Sequence, residues 1–226
     1  MSARRMSSSK KARVVVLISG SGSNLQALID GLQAGDLPID LAAVISNRPG
    51  VFGLERAASA GIPAEVLDHK TFADRESFDR ALMEKIDAYE PDLIVLAGFM
   101  RILTPEFTQH YLGRMLNIHP SLLPKFQGLH THQRAIDAGE QRHGVTVHFV
   151  TAELDGGPAI VQASVPILAS DDAASLAKRV QKQEHIIYPL AVKWFAEGDL
   201  RMLEGKSVLK GEPLSQSGFQ IESDET

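Results

Sequence analysis

Three polar residues have the side-chain types that acyl transfer to an amine requires. Asn117 and His119 stand two residues apart at the end of an apolar run, and Asp155 lies in a later turn-forming stretch. Alternation along a strand places Asn117 and His119 on the same face. Attack on a formyl carbon creates an oxyanion, which an amide donor and a cationic imidazole can stabilise. Asp155 could orient or charge His119, or take a proton through water.

These residues also have a purely structural interpretation. An Asn and a His at a strand end often only cap the following loop, and perturbed histidines are not confined to active sites. The chain contains no cysteine, which removes disulfides, thiolate zinc sites and a cysteine nucleophile. The absence of cysteine fits a reducing cytoplasm, and the three side chains suit transfer without a covalent stage.

A glycine-rich turn, Gly20-Ser21-Gly22-Ser23-Asn24, separates the first predicted strand from the first predicted helix. Such a turn presents backbone N–H groups at the positive end of a helix, where an anion binds well. A dinucleotide fingerprint would need a third glycine where Leu25 stands, and a triphosphate loop would need a lysine. The turn therefore predicts a site for one phosphate monoester at Gly22, Ser23 and Asn24. The alternative is an ordinary turn with a polar helix cap.

The pair His130 and His132 has the spacing of a partial metal site. No third ligand accompanies the pair at useful spacing, so we interpret both residues as loop or helix-start histidines. The sequence therefore predicts no metal. His148 lies in an alternating strand, where it fits either the core or a site wall.

Alternating patterns predict the elements that position these residues. Short apolar runs at 13–19, 39–46, 64–67, 93–97 and 115–118 indicate buried strands. Helices are expected after Asn24 and over 53–60, 74–89 and 101–111, which implies a mostly parallel sheet with right-handed crossovers. Runs at 144–150 and 159–168 follow each other without a helix, so they predict an antiparallel C-terminal edge. A long helix over 171–198, capped by Ser170, completes an α/β fold with helices on both faces.

The composition agrees with one enzyme-sized domain. The chain has 226 residues, 44% of them hydrophobic, and a net charge of -5, which gives no sign of a nucleic-acid partner. We expect a disordered basic tail at 1–12, a single domain at 13–210 and a polar tail at 211–226 that frays from about 215. The sequence has no apolar run of signal-peptide or membrane-spanning character.

Six motifs in order identify a family resemblance. They are ISGSGSN at 18–24, LAGFMRIL at 96–103, LNIHPSLLP at 116–124, KFQGLHTH at 125–132, GVTVHFVTAELDGGP at 144–158 and RVQKQEH at 179–185. The chain resembles the phosphoribosylglycinamide formyltransferases over about residues 13–200. The resemblance implies a Rossmann-like sheet and transfer of a formyl group from 10-formyltetrahydrofolate to the glycine amine of a ribosyl phosphate. It also implies a cytoplasmic enzyme of purine biosynthesis, a monomer or homodimer, that acts on small molecules.

The resemblance implies a role for each matching residue. Asn117, His119 and Asp155 match the catalytic trio, and Asn117 also touches the folate. Gly22, Ser23 and Asn24 match the phosphate loop, and Glu184 matches the contact to the glycinamide or ribose end. The folate contacts are Arg75, Met100, Arg101, Ile102, Leu103, Thr151, Ala152, Glu153 and Leu154.

Two of these roles have support from the residues themselves. Glu184 stands at the margin of an apolar helix stripe, where a buried polar group needs a partner. Solvent exposure is the alternative there. The stretch 99–103 is an apolar wall with one guanidinium, which suits a flat heteroaromatic ring on a glutamate tail. It reads equally as strand exit and core, and Arg75 reads equally as a surface charge.

Three other functions compete with this one. A 10-formyltetrahydrofolate hydrolase would need the same trio but no amine pocket, and the glycine turn and Glu184 argue against it. A methionyl-tRNA formyltransferase would need a basic RNA-binding extension. A nucleotide-sensing module with a degenerate site would bind ligand without turnover.

Overall fold

The computed structural model describes residues 10–226. Most of the basic tail expected at 1–12 lies outside the described residues, and Ala12 already belongs to the first strand. No helix of the described chain combines the length and the apolar character needed to cross a membrane.

An eight-stranded sheet forms the centre of the molecule. Its strands lie in the order β11-β7-β6-β5-β4-β1-β2-β3. In chain order, they are β1 (Ala12–Ile18), β2 (Ile39–Ser46), β3 (Ala64–Val66), β4 (Leu93–Leu96), β5 (Met115–His119), β6 (Arg142–Phe149), β7 (Ala159–Pro166) and β11 (Phe219–Glu222). Strand β6 runs antiparallel to both β5 and β7, and the other paired strands are parallel. The predicted mostly parallel sheet, with antiparallel pairing of the runs at 144–150 and 159–168, is therefore confirmed; these strands do not form its edge, however, because β11 lies outside them and is parallel to β7.

Six helices cover the two faces of this sheet. They are α1 (Ser23–Gln33), α2 (Phe52–Ser59), α3 (Arg75–Asp87), α4 (Pro105–His110), α5 (Thr131–Asp137) and α6 (Ala173–Ala196). Alternating residues of β1 serve both faces, because Val16 packs with α1 and α6 while Leu17 packs with α3 and α4. Strands buried on both faces explain the continuous apolar runs of the sequence.

Two predicted helix boundaries are wrong. The helix expected over 101–111 is limited to Pro105–His110, because Thr104 caps it by accepting from the Phe107 N–H and Pro105 starts it. The long helix begins after Asp172, not Ser170, and Asp172 exchanges hydrogen bonds with Ser175 as a capping box.

The C-terminal segment also differs from the prediction. Residues expected to fray from about 215 include β11, which pairs with β7 from Phe219 to Glu222. A second sheet, formed by β8 (Leu200–Leu203), β9 (Lys206–Leu209) and β10 (Glu212–Pro213), precedes it and had no clear signal in the sequence. The phenyl ring of Phe219 packs edge-on against Trp194 at 5.6 Å, so an apolar contact holds the edge strand in place.

Helix α6 is fastened to the middle of the sheet by a buried tyrosine. The hydroxyl of Tyr188 lies within hydrogen-bond distance of the Leu96 and Leu116 carbonyl oxygens, at 2.6 and 3.1 Å. These carbonyls belong to β4, which leads into residues 98–104, and to β5, which carries Asn117 and His119. Tyr188 is fully buried, so no solvent replaces these contacts.

Tyr188→Phe is expected to lower the free energy of unfolding by about 1–2 kcal/mol, because it leaves two buried carbonyls without this donor. Urea titration monitored by circular dichroism measures the change. Tyr89→Phe, at a partly exposed tyrosine, is the matched control and should change stability less. Equal effects of the two variants would contradict a special role for the Tyr188 hydroxyl.

Candidate active site

The Asn-x-His motif occupies the carboxyl end of β5. In open parallel sheets, ligands bind beyond this end of the strands. Asn117 lies opposite His148 on the neighbouring strand β6, and His119 lies opposite Thr146. The side chains of Asn117 and His119 therefore lie on the same face of the sheet, near the end of β4.

His119 is held by hydrogen bonding on one side and faces a carboxylate on the other. Its Nε2 lies 2.9 Å from the Phe126 carbonyl oxygen, so this nitrogen must carry the proton. Its Nδ1 lies 3.5 Å from Asp155 Oδ1, and both side chains are 8% exposed. The two ring nitrogens of His119 therefore face different partners, a backbone carbonyl oxygen and the Asp155 carboxylate.

The turn that carries Asp155 is tightly constrained. Asp155 Oδ2 accepts a hydrogen bond from the Gly128 N–H at 3.0 Å. Asp155 has a left-handed φ of 52°, which an aspartate tolerates better than most residues. A Cβ on Gly157 would lie 1.8 Å from the Phe149 carbonyl oxygen, so only glycine permits this close return of the chain. The backbone thus aims the carboxylate at the imidazole.

Asn117 is oriented by a buried neutral histidine. Nδ1 of His148 lies 2.9 Å from the Phe149 carbonyl oxygen, so Nδ1 is the donor and Nε2 carries the lone pair. The Asn117 amide nitrogen lies 3.4 Å from that Nε2. Desolvation of the imidazole lowers the pKa of His148, only partly offset by its hydrogen bond to Phe149. His148 is therefore both core and site wall, and it fixes which end of the Asn117 amide is the donor.

A cavity of about 390 Å³ opens beside this trio. This volume is within the usual range for small-molecule sites. Its lining includes Asn117, His119, Asp155, His148 and nearly all residues assigned to folate contact: Met100, Arg101, Ile102, Leu103, Thr151, Ala152, Glu153 and Leu154. Arg75 is the exception, since it is an exposed first residue of α3 outside this lining.

The mouth of the cavity is apolar and largely exposed. Met100, Ile102, Leu129 and Leu154 are each more than half exposed, which is unusual for so many large apolar residues in one place. The guanidinium of Arg101 stacks on the Phe78 ring at 4.5 Å. The mouth therefore offers an apolar surface with one fixed cation nearby. Leu129 was not anticipated from the sequence, because a single leucine in a polar loop carries no periodic signal.

A larger cavity, of about 850 Å³, lies on the other side of the Gly156–Pro158 turn. It touches Asp155, but Asn117 and His119 are not part of its lining. Its walls come mainly from residues 151–159, from the small sheet and from the segment that precedes β11. Because Asn117, His119 and Asp155 meet at the smaller cavity, that cavity is the candidate active site.

The glycine turn packs closely on helix α2. Gly22 has a left-handed φ of 72°, and a Cβ there would lie 2.9 Å from the Gly53 Cα. Within the described residues, no side chain caps the start of α1, so its first N–H groups are open to a ligand. The positive φ of Gly22 and its close approach to Gly53 both favour glycine at this position. The open N–H groups of the turn suit a small anion.

Two polar residues beside this turn were not singled out from the sequence. Arg56 donates from Nε to the Ser21 carbonyl oxygen at 2.7 Å, and Gln181 donates to the Ser23 hydroxyl at 3.3 Å. Arg56 brings a positive charge to this turn in a chain that is acidic overall. Only the packing of α2 and α6 against the turn reveals these contacts.

Glu184 lies where α6 approaches the start of α1. Desolvation raises the pKa of Glu184 to about 7, and a hydrogen bond with Asn24 acts in the opposite direction. Asn24 Oδ1 is buried and has no hydrogen-bond partner among the described residues. Glu184 and the glycine turn are therefore neighbours, as the predicted substrate set requires.

The predicted pair His130 and His132 lies at the start of α5, and His132 contacts a third histidine. His130 precedes α5, and His132 Nδ1 lies 3.1 Å from His143 Nε2. Desolvation lowers the pKa of His143 to about 4, with a smaller contribution from His132. In the part of the chain that the structure describes, no group of three or more His, Cys, Asp or Glu side chains could hold a metal ion.

Glu184→Gln is expected to change how stability depends on pH. The folded pKa of about 7 exceeds the ordinary value of 4.5, so the wild type loses stability as pH rises through this interval. The glutamine variant lacks this loss and should gain roughly 2–3 kcal/mol relative to the wild type between pH 4.5 and 8. Urea titrations at both pH values measure it. Glu84→Gln, at an exposed position on α3, should show no such gain; equal pH profiles for wild type and Glu184→Gln would refute the shift.

Comparison with known proteins agrees with this geometry. A family model described as formyl transferase matches residues 12–192. Phosphoribosylglycinamide formyltransferase of Escherichia coli is 54% identical over 206 residues, covering 91% of this chain and 97% of that protein. The structure of phosphoribosylglycinamide formyltransferase from Coxiella burnetii has a TM-score of 0.91 at 51% identity, covering 94% of this chain and 100% of that one.

The structure of an enzyme with a different activity shares the fold at lower identity. Formyltetrahydrofolate deformylase from Burkholderia mallei is 28% identical, with a TM-score of 0.81, over 88% of this chain and 70% of that one. The family match covers every element from β1 into α6, including Asn117, His119 and Asp155. The chain belongs to the formyl transferase family.

Proposed function

We propose that this chain transfers the formyl group of 10-formyltetrahydrofolate to the glycine amine of glycinamide ribonucleotide, a step of purine biosynthesis. The observation that carries the proposal is the meeting of Asn117, His119 and Asp155 at one cavity, beside an apolar wall. The high identity to a named formyltransferase over nearly the whole of both chains supports the same activity. We further propose that the enzyme works in the cytoplasm, in keeping with its lack of cysteine.

The two substrates are assigned to adjoining surfaces. The phosphate of the amine substrate is placed at Gly22, Ser23 and Asn24, where helix N–H groups face outward and Arg56 adds positive charge. Glu184 is placed against the glycinamide or ribose end of the same substrate. The folate is placed along the apolar wall and the loop at 151–155, whose side chains line the cavity.

Formyl transfer begins with attack of the amine nitrogen on the formyl carbon. The carbon–oxygen double bond becomes a single bond, and the oxygen takes the negative charge. The Asn117 amide donates a hydrogen bond to this oxygen, and the cationic ring of His119 stabilises the charge. His148 keeps the donor end of the Asn117 amide available because its lone pair accepts from the same NH₂ group.

The second half of the reaction requires a proton to change place. The attacking nitrogen loses a proton, which the Asp155 carboxylate accepts directly or through water. Collapse of the oxyanion breaks the bond between the formyl carbon and folate N10, which takes up a proton. The products are the formylated amine and tetrahydrofolate, so no proton is gained or lost overall.

The test of this function is an assay of donor deformylation with and without the amine substrate. Mixing the protein with 10-formyltetrahydrofolate should cause little absorbance change until glycinamide ribonucleotide is added. Loss of the formyl group independent of the amine would identify a hydrolase instead. Binding of either substrate without turnover would identify a sensing module and sink the proposal.

Asn117→Ala is expected to lower kcat about 100- to 1000-fold with a smaller change in the KM for the amine, because it removes one oxyanion donor. Steady-state kinetics under saturating donor measure both constants. Gln133→Ala, which removes an exposed amide on α5, is the matched control and should retain wild-type kcat.

His119→Ala tests the cationic partner in the same assay. It should abolish turnover while the melting temperature stays within about 5 °C of the wild type. A variant that fails to fold would show that His119 is a structural residue. Retained turnover in a folded variant would remove it from the mechanism.

A further inference from the structure

We propose that Ser19 and Asp79 are positioning residues that hold the folate wall, here the segment Gly98–Thr104, in its binding shape. The proposal rests on the assignment of this wall to the formyl donor. Neither residue lines the cavity, and neither belongs to the catalytic trio or the glycine turn. Both are buried, at 3% and 0% exposure, so their polar groups need partners inside the protein.

The wall receives almost no support from its own backbone. It has neither helix nor strand structure between the end of β4 and the start of α4. Among residues 10–226, no backbone–backbone hydrogen bond involves residues 98–103. Instead, the Met100 N–H and the Thr104 N–H each donate a hydrogen bond to a buried side-chain oxygen. The shape of the wall therefore depends on Ser19 and Asp79.

Ser19 supports the first half of the wall. It lies just after β1, and its hydroxyl oxygen accepts from the Met100 N–H at 2.8 Å. The same hydroxyl donates to Asn47 Oδ1 at 2.5 Å. Asn47 is itself 2% exposed, and its Nδ2 lies 3.2 Å from His69 Nδ1. The acceptor for Met100 is therefore anchored across the ends of β1, β2 and β3.

Asp79 supports the other end of the wall. Its Oδ2 accepts from the Thr104 N–H at 2.8 Å. Thr104 is the N-cap of α4. In a capping box, the side chain of the third helical residue would accept the hydrogen bond from the N-cap N–H. That residue is Phe107, which has no acceptor, so Asp79 supplies the carboxylate from α3.

The environment of Asp79 indicates that its role lies in this hydrogen bond and in facing Arg101 of the wall. Desolvation raises its pKa, while the Thr104 bonds and the charges of Arg101 and Arg75 oppose the rise. Its second oxygen, Oδ1, has no hydrogen-bond partner among the described residues, and neither does Arg101 Nε. A carboxylate buried at such cost is retained where it fixes neighbouring groups.

This arrangement leaves the wall itself free for a ligand. Because Ser19 and Asp79 hold the wall from behind, most backbone N–H and C=O groups of residues 98–103 keep their hydrogen-bonding capacity. Loss of either contact should let the wall move and weaken donor binding. The amine site, built on the glycine turn and α6, should not respond.

The experiment compares Ser19→Ala, Asp79→Ala and Asp79→Asn with the wild type. The two alanine variants should raise the KM for 10-formyltetrahydrofolate about tenfold each, the effect of one lost buried hydrogen bond. Their KM for glycinamide ribonucleotide should stay within about twofold of the wild type. Asp79→Asn keeps an oxygen acceptor for the Thr104 N–H and should restore most of the donor affinity.

Ser164→Ala is the matched control. Ser164 is a buried serine whose hydroxyl accepts from Arg142 Nε at 3.1 Å, at the far edge of the sheet. It should leave both KM values unchanged. Equal rises in both KM values for the Ser19 and Asp79 variants, or Asp79→Asn as weak as Asp79→Ala, would overturn the proposal.

Amide hydrogen exchange separates this inference from the proposed function. The Met100 and Thr104 amides should be protected in the wild type without ligand, and each should exchange faster in the alanine variant that removes its acceptor. This readout needs no turnover. If the wild type shows the expected exchange pattern but no formyl transfer, the proposed function is refuted and the positioning role of Ser19 and Asp79 stands. If the enzyme is active but exchange is unchanged in the variants, the positioning role alone is refuted.

Discussion

The site depends on the contact between the His119 imidazole and the Asp155 carboxylate, two groups that are far apart in the chain. A single loop holds both of them. The Phe126 carbonyl accepts from the imidazole, and the Gly128 N–H donates to the carboxylate. Because one short segment fixes the orientation of each partner, the distance between them cannot drift independently. Both side chains are only 8% exposed, so little solvent separates or screens them.

The reversed strand β6 makes this contact possible. The connection from β5 to β6 is long and contains α5, yet β6 pairs antiparallel with β5. Here β6 runs back beside β5 and places His148 directly opposite Asn117. The chain then turns through Gly157, where no side chain fits, and presents Asp155 to the same cavity. One antiparallel pairing therefore supplies both the residue that orients the amide and the residue that faces the imidazole.

The sequence predicted the elements better than the contacts between them. Apolar runs gave β2 its observed bounds, Ile39–Ser46, because every residue of this strand except Asp40 is buried. The strand β11 was missed because Phe219 and Ile221 are two apolar residues in a polar tail, and their support comes from β7 and Trp194. The trio was visible as residue types near strand ends. Arg56, Ser19 and Asp79 were not, since each acts across helices or loops that periodicity does not relate.

The electrostatic problem of the molecule is that an acidic chain of net charge -5 must accept an anionic substrate. The glycine turn solves part of it with helix N–H groups and the nearby Arg56 guanidinium. The burial of Glu184 solves another part. With a pKa of about 7, this carboxyl is ionised a smaller fraction of the time near neutral pH than an exposed glutamate, so on average it repels a neighbouring phosphate less. The same desolvation that makes Glu184 costly to ionise therefore makes it more compatible with the phosphate site that we propose at this turn.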